Sequence, residues 1–235
     1  MPQRYFIDDH AFEHKLITGN DAHHIIKVMR MKPNDQMIVC NNNICHMVHI
    51  TKTDQYVEFE IDEKLPTKEI FDVTLIQGLP KGSKIDTVTK YATIFGVSKI
   101  IFVEMNRSIS KEKNVDNKLK RLETIAKEAA ELAHRSNVPS IEFIKTLKEI
   151  DLKDFKWILV ADENEKTTHL TDVVSKAHIK EKTALIIGPE GGITDQERNF
   201  FKDQKSHFIS LGNNILPTEI ASLYALSYFS IKNAE

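Results

Sequence analysis

The stretch LIIGPEGGIT, residues 185–194, joins an apolar run to a glycine-rich turn and then to the start of a helix. The turn consists of Gly188, Pro189, Glu190, Gly191 and Gly192. Adjacent glycines permit positive φ and the close approach of a ligand to the backbone. The turn is not a G-x-G-x-x-G fingerprint, and no Lys-Ser/Thr pair follows it as in a P-loop. A tight strand-to-helix turn without a ligand is the simpler alternative.

The residues after the turn argue against a phosphate ligand. Thr194 and Glu197 have the spacing of a capping box, in which both side chains satisfy amide groups at a helix start. Glu190 and Glu197 give this helix end its own negative charge. A phosphate group instead needs a helix start whose amide groups and positive dipole end are free to bind an anion. The sequence therefore predicts a neutral or cationic ligand, bound largely through backbone groups.

A second turn of the same kind lies in LGNNILPTEIASLYALS, residues 211–227. A strand ends at Leu211 and Gly212, and Pro217 suits the start of the helix that follows. Alone, this is ordinary helix initiation. At the same end of one sheet, however, the two turns would form the walls of one pocket.

The chain from Val73 onward alternates between strands and helices, which predicts a mostly parallel sheet covered on both faces. Helices are expected at about 117–134 and 218–232. Ligands in such sheets bind beyond the carboxyl ends of the strands. The predicted strands are 73–77, 100–103, 141–144, 157–161, 185–188 and 208–211.

The first seventy residues instead read as short strands with polar turns, at 4–7, 36–40, 45–51 and 56–60. One helix, with Asp21 as N-cap, is expected to end before Pro33. A small β-barrel with one helix fits this pattern. The segment Glu63 to Glu69 is expected to be a linker.

Composition restricts the class of protein. The chain has 235 residues, 41% hydrophobic and 28% charged, which predicts a soluble globular protein. It has no apolar run of about 20 residues and no signal architecture, so we expect a cytoplasmic location and no membrane partner.

Cys40 and Cys45 fit a reducing compartment without a disulfide framework. Together with His46 and His49 they match no common zinc spacing, so we expect no metal.

Charge is unevenly distributed. The net charge is -2, but between Gly78 and Arg121 there are ten Lys/Arg and four Asp/Glu, a local balance of 10 - 4 = +6. Such a segment is typical of a phosphate-binding surface, and equally of a solvated helix surface.

Five blocks carry a resemblance to a known family: QGLPKGSK (77–84), VSKIIFVEMNRS (97–108), RLETIAKEAAELAHRSNVP (121–139), and the stretches at 185–194 and 211–227. In this order they resemble the RsmE family, the small-subunit ribosomal RNA uracil-N3 methyltransferases of the SPOUT superfamily. RYF (4–6) and HHIIKVMR (23–30) resemble its PUA-like RNA-binding barrel.

The resemblance implies a PUA-like β-barrel over 1–68 and a SPOUT α/β domain over 72–235 with a C-terminal trefoil knot. It also implies a homodimer that acts on 16S ribosomal RNA of the small subunit. S-adenosylmethionine would lie in the knot between three loops. The matching cofactor-binding residues are Ala161, Gly188, Pro189, Glu190, Gly191, Gly192, Leu211, Gly212, Ile215 and Leu216.

The implied reaction needs a uracil N3 that has lost its proton, so the enzyme must supply a base or stabilise charge on the ring oxygens. The base must also leave its duplex to be reached. The catalytic candidates are Arg107, Arg135, Asn214 and Glu219. The candidates for RNA contacts are Arg4, His24, Arg30, Lys81 and Lys84.

The chain departs from the family pattern at Asn214 and Pro217, where arginines are usual, and at Ile220, Leu132 and Ile94, where polar residues are usual. Asn214 still donates hydrogen bonds, whereas Pro217 cannot replace a charge. Two alternatives therefore stay open. One is a non-catalytic RNA-binding or ribosome-assembly protein that keeps the fold. The other is a SPOUT methyltransferase with another RNA target.

Overall fold

The structure, a computed structural model, describes residues 2–66, 72–109, 114–174 and 181–234. Its contacts divide the chain into two compact units. The first comprises Met1–Glu69 and Ala130–Val138, and the second comprises Ile70–Ala129 and Pro139–Glu235.

The first unit contains a five-stranded mixed sheet, with strands β1 Arg4–Phe6, β2 Leu16–Ile17, β3 Gln36–Asn41, β4 Ile44–Thr53 and β5 Val57–Lys64. Their order is β1-β3-β4-β5-β2, in which β1 pairs parallel to β3 and the other pairs are antiparallel. The core of this unit is apolar and includes Phe59, Met37 and Ile25, which are all buried.

The helices of this unit correct the sequence-based expectation of a single helix capped by Asp21. Helix α1 spans Asp9–Glu13, and α2 spans Gly19–His23 and continues as a π-helical turn over His24–Val28. Thr18, in extended backbone, is the N-cap of α2. Asp21 lies in the first turn, where its charge suits the helix dipole.

The expected linker is also shorter than predicted. Strand β5 continues to Lys64, because its pairing with β4 extends to His46. Residues 67–69 of that expected linker lie outside the described residues.

The expectation of unpaired cysteines is wrong in this structure, where Cys40 and Cys45 form a disulfide. The pairing follows from the hairpin between β3 and β4. Asn42 and Asn43 both have positive φ, at 47° and 64°. A two-residue turn with positive φ at both positions fixes the register of its flanking strands. In that register Cys40 is the cross-strand partner of Cys45, and both are buried.

The second unit contains a six-stranded sheet, with strands β6 Val73–Gly78, β7 Lys99–Val103, β8 Ser140–Ile144, β9 Trp157–Ala161, β10 Thr183–Ile187 and β11 His207–Ile209. Their order is β11-β9-β10-β6-β7-β8, and every pairing among them is parallel. The predicted α/β fold with a parallel sheet is confirmed. The described helices are α3 Lys84–Ile94, α4 Val115–Leu132, α5 Leu170–Val173, α6 Asp195–Asp203 and α7 Thr218–Ala234.

The central strands explain why the sequence reads as continuous apolar runs here. Every residue of β6 and β10 is buried, as expected for parallel strands covered on both faces. One of these buried residues has a strongly polar side chain: Gln77, near the end of β6, has a fully buried amide. The loops that leave β9, β10 and β11 emerge side by side at one edge of the sheet. A trefoil knot requires such neighbouring loops, and it stays a prediction.

No helix in the described part of the chain has both the length and the apolar character needed to cross a membrane.

Arg4 stabilises the first unit by hydrogen bonds to backbone carbonyls. Only 9% of the residue is exposed, and its Nη1 donates to the carbonyl oxygens of His134 (2.8 Å) and Arg135. These carbonyls belong to the turn that follows the end of α4. Burial lowers the pKa of Arg4, which stays protonated at neutral pH because arginine titrates so high.

We expect Arg4→Met to lower the free energy of unfolding by about 1–3 kcal/mol, because the carbonyls of His134 and Arg135 would lose the donation from Arg4 in a largely buried turn. Urea denaturation measures this. The control is Arg30→Met, since Arg30 is an exposed arginine of the same unit. Equal stability of the two variants would contradict the role of Arg4 at this turn.

Candidate functional site

A cavity opens at the carboxyl ends of β9, β10 and β11, with a volume of about 350 Å³. Three loops build it: the one after β9, the one between β10 and α6, and the one between β11 and α7. The lining residues are Ala161, Asp162, Glu163, Glu165, Lys166, Ile187, Gly188, Pro189, Glu190, Gly192, Ile193, Ser210, Leu211, Gly212, Asn213, Asn214, Ile215, Leu216, Pro217, Thr218 and Ala221.

The structure brings most of the predicted cofactor residues together here. All of that set except Gly191 line the cavity, and so does the catalytic candidate Asn214. Gly191 faces the other way. A Cβ at this position would lie 2.7 Å from Cβ of Arg107, and Nη1 of Arg107 donates to the Gly191 carbonyl at 3.0 Å. Gly191 therefore provides the close approach to the loop after β7.

A second close approach fixes the loop from the side of the sheet. A Cβ at Gly78, the last residue of β6, would lie 2.5 Å from the backbone nitrogen of Pro189. Real Cβ atoms do not approach a backbone atom so closely, so only glycine fits here. The end of β6 thus packs directly beneath the turn that lines the cavity.

Hydrogen bonds join the same turn to the start of α7. The Thr218 hydroxyl donates to the Gly188 carbonyl at 2.5 Å, and Nε2 of Gln77 donates to Thr218 Oγ1 at 2.8 Å. Gln77 Nε2 also lies 3.4 Å from the Gly188 carbonyl. Thr218 is 6% exposed and Gln77 is fully buried. This network, termed the Gly188 junction, joins two walls of the cavity and holds them at a fixed separation.

The carboxylate of Glu190 contacts both the segment before α3 and the first residue of that helix. Its Oε1 accepts a hydrogen bond from the Lys81 backbone N–H at 3.0 Å and lies 3.3 Å from Nζ of Lys84. The same ammonium lies 3.0 Å from Oε2 of Glu219, in the first turn of α7. Lys84 therefore clamps the cavity loop to the start of α7, and we call Lys84, Glu190 and Glu219 the lysine clamp.

Lys84 and Glu190 both stay charged at neutral pH. The carboxylate of Glu219 is the main cause of a raised pKa of Lys84, against opposing burial. Burial alone would raise the pKa of Glu190, but donation from Lys81 and Lys84 outweighs it and lowers that pKa. The stabilisation from Lys84 is thus present below its unfolded pKa, and that from Glu190 is present above its unfolded pKa. Both are present at neutral pH.

The loop after β9 is ordered by its own carboxylates. Asp162, 8% exposed, forms a two-pronged ion pair with Arg198 of α6, at 2.5 and 3.1 Å. Glu165 accepts hydrogen bonds from the Thr167 hydroxyl and from the N–H groups of Thr167 and Thr168. The Thr167 hydroxyl is the main cause that lowers the pKa of Glu165 to about 2. These bonds shape a loop that sequence alone leaves irregular.

The predicted capping box is confirmed. The hydroxyl of Thr194 accepts from the Glu197 N–H, and the Glu197 carboxylate accepts from the Thr194 N–H at 2.8 Å. Glu197 also accepts from the N–H of Asn106 at 2.8 Å, so it joins α6 to the loop after β7. The start of α6 is therefore satisfied internally and is not a phosphate site.

The other catalytic candidates, and the RNA candidates of the first unit, are not among the lining residues. Arg135 belongs to the first unit, where it is 9% exposed and donates to Asn137 at 3.0 Å. Burial lowers the pKa of Arg135 to about 10. His24 and Arg30 are exposed, and Nδ1 of His24 lies 3.0 Å from the Tyr5 hydroxyl. Arg107 and Glu219 flank the cavity without lining it.

Sequence reasoning missed several residues of the site. Asp162, Glu163, Glu165 and Lys166 line the cavity, and they follow the apolar run of β9 directly. Their position after a buried strand was a usable signal, because strand ends mark the site in such sheets. Gln77 gave a weaker signal, as a lone amide within an apolar strand.

The cavity fits S-adenosylmethionine in size and charge. Ligand pockets typically measure roughly 300–1,000 Å³, and this one lies within that range. Asp162 and Glu190 are paired with cations. The other carboxylates of the described lining are Glu163 and Glu165, and its single cation is Lys166. A phosphate group would meet unfavourable charge here, whereas a sulfonium would meet favourable charge.

The fold and this cavity define the class of the protein. A model described as "RNA methyltransferase domain" matches residues 67–230, and one described as "RNA methyltransferase PUA domain" matches residues 17–62. The chain therefore belongs to this RNA methyltransferase family, and the resemblance to the RsmE family is confirmed.

Its relatives carry a more specific name. The chain is 32% identical to the ribosomal RNA small subunit methyltransferase E of Bacillus subtilis (strain 168), over 97% of this chain and 96% of the relative. It is 29% identical to the protein of that name from Rickettsia conorii, over 91% and 87%.

Solved structures share the fold. A crystal structure of ribosomal RNA small subunit methyltransferase E from Neisseria gonorrhoeae, bound to S-adenosyl methionine, has a TM-score of 0.83 and 24% identity. The match covers 98% of both chains. A crystal structure of a hypothetical protein has a TM-score of 0.86 and 30% identity, again over 98% of both chains.

We expect Thr218→Val to weaken cofactor affinity roughly tenfold, which corresponds to about 1.4 kcal/mol. The isosteric change removes the hydroxyl that ties Gly188 to α7, so the separation of the cavity walls is no longer fixed. Calorimetric titration with S-adenosylmethionine measures the effect. Thr89→Val removes an equally buried hydroxyl from α3 and serves as the control. An unchanged affinity in Thr218→Val would contradict the role of the Gly188 junction.

We expect Lys84→Met to weaken cofactor affinity roughly fivefold, or about 1 kcal/mol, because two half-buried carboxylates would be left without their cation. The difference should shrink at high salt, as screening weakens the clamp in the parent protein. Lys81→Met is the matched control, since it keeps the backbone N–H that bonds Glu190. Equal effects of both variants would show that the clamp does not shape the cavity.

Proposed function

We propose that the protein is an S-adenosylmethionine-dependent methyltransferase that methylates N3 of a uridine in 16S ribosomal RNA of the small subunit. The cavity built by the loops after β9, β10 and β11 carries this proposal. Its volume, its backbone lining and its unpaired carboxylates suit a sulfonium cofactor. The names of the relatives supply the RNA class.

The bound cofactor would supply an electrophilic methyl group. The residues of the chain would hold the uracil with N3 directed at that group and stabilise negative charge on its ring oxygens. Asn214 lines the cavity and carries an amide that donates hydrogen bonds. Arg107 lies against Gly191, at the rim, and would add positive charge there. N3 would lose its proton to water, and its lone pair would then form the N–CH3 bond while the S–CH3 bond breaks and the neutral thioether leaves.

The first unit would hold the RNA, as a PUA-like domain over 1–68, while residues 72–235 form the methyltransferase domain. An exposed patch follows α2 and mixes basic and apolar side chains, which suits phosphates and bases together. Its exposed members are His23, His24, Lys27, Val28, Met29, Arg30 and Lys32. Of the other RNA candidates, Lys81 is exposed, whereas Arg4 and Lys84 are engaged within the protein.

A homodimer is part of the proposal. Ile220, Tyr224 and Ile231 are 42%, 55% and 60% exposed on α7. Their spacing of four and seven residues places them on one face of the helix. A second copy of the chain would cover this face. The interface would then lie next to the part of the cavity wall that the start of α7 forms. We also propose that the three cavity loops form a trefoil knot and that the enzyme acts in the cytoplasm, on ribosomal subunits.

Ribosomal RNA from a strain that lacks the gene tests the proposal. Mass spectrometry of its nucleosides should show the loss of 3-methyluridine from 16S ribosomal RNA. Purified protein with S-adenosylmethionine should restore it. Cofactor binding without restoration would favour another RNA target. An unchanged uridine together with no cofactor binding would favour the non-catalytic RNA-binding alternative, which the missing arginines at 214 and 217 motivate.

We expect Tyr224→Glu to convert the dimer into a monomer, because a charge would replace an apolar side chain in a buried interface. Light scattering on the full chain measures the mass. Lys202→Glu, an exposed change on α6, is the control. A Tyr224→Glu protein that keeps the dimeric mass would rule out this face as the interface.

A further inference from the structure

A second cavity, of about 710 Å³, opens at the carboxyl ends of β7 and β8. Among the described residues, it shares no lining residue with the first cavity. We propose that it binds a nucleotide of the RNA substrate other than the methylated uridine. The residues that line it are Glu104, Met105, Asn106, Ser108, Lys145, Thr146, Leu147, Lys148, Gln196, Glu197 and Phe200. This inference rests on the proposed function, since it takes RNA as the substrate.

The floor of the cavity suits a base. Met105 and Leu147 are buried, at 5% and 9% exposure, and Phe200 is partly buried against the same core. Apolar and aromatic surface of this kind accepts the face of any base, because every base has a π-face.

The rim suits the sugar-phosphate backbone. Lys145 and Lys148 are exposed, and neither ammonium has an ion-pair partner within the described ranges. Unpaired ammonium groups beside a cavity attract phosphate as point charges. The exposed amides of Asn106 and Gln196 provide donors and acceptors for a base edge. The carboxylate of Glu197 is already used, because it accepts from the N–H groups of Thr194 and Asn106.

The location links the cavity to the reaction. Asn106 lines the second cavity. The next residue, Arg107, donates a hydrogen bond to the carbonyl of Gly191, in the glycine-rich turn after β10. Both cavities therefore open on the same edge of the sheet, on either side of the loop after β7. A strand that presents one uridine to the first cavity would carry a neighbouring nucleotide to the second.

The test uses the full chain and unmethylated 16S ribosomal RNA transcribed in vitro. Filter binding at several salt concentrations compares a double variant, Lys145→Glu with Lys148→Glu, with a control of equal charge change, Lys153→Glu with Lys156→Glu. The control lysines are exposed and lie outside the cavity. A second variant, Gln196→Trp, fills the cavity from an exposed position without changing charge.

We expect the cavity double variant to bind RNA at least about tenfold more weakly than the control. The log–log slope of its affinity against salt concentration should become shallower by about 0.7 for each phosphate that the protein no longer neutralises. Gln196→Trp should also weaken RNA binding, while the affinity of all variants for S-adenosylmethionine stays unchanged. Equal RNA binding by the two double variants would overturn the inference. Failure of the parent protein to methylate would instead count against the proposed function.

Discussion

The carbonyl oxygen of Gly188 is the point on which the site depends. It lies where the central strand β10 ends, and it accepts a hydrogen bond from Thr218 at the start of the last helix. Gln77, at the end of the adjacent strand, reaches both groups from beneath. Because Gln77 is fully buried and Thr218 is 6% exposed, water cannot replace these bonds at low cost. The two cavity walls that begin at Gly188 and Thr218 are therefore fixed by the core of the sheet.

The electrostatics of the site follow from how its carboxylates are used. Glu190 and Asp162 are each bound to a cation, and Glu197 closes the helix start. The acidic groups therefore act first as structural links between loops. What remains unpaired in the described lining is negative, which explains why a glycine-rich turn at a strand end here suits a sulfonium and not a phosphate.

Local signals in the sequence predicted much of this fold. The Thr194–Glu197 capping box and the apolar runs of β6 and β10 depend on neighbouring residues, so a pattern reveals them. Links between distant residues could not be read in this way. The Gln77–Thr218 bond joins positions 141 residues apart, and the lysine clamp joins the starts of α3 and α7 to the turn after β10. Lys84 is the clearest case, since an exposed lysine and a clamped one have the same sequence signature.

The pairing of Cys40 with Cys45 shows the same limit at short range. Their types suggested a reducing compartment, but the turn at Asn42 and Asn43 fixed a register that places them opposite each other. The start of α2 was misplaced because Asp21 is as good a first-turn residue as an N-cap. In both cases backbone conformation, rather than residue type, decided the outcome.

We propose that the first cavity selects a sulfonium nucleoside over a phosphorylated one. Calorimetric titration of the full chain with S-adenosylmethionine and, separately, with ATP measures this selectivity, because the two ligands share adenosine and differ in charge. We expect saturable binding of S-adenosylmethionine and no measurable binding of ATP. Binding of ATP with equal or greater affinity would contradict this selectivity.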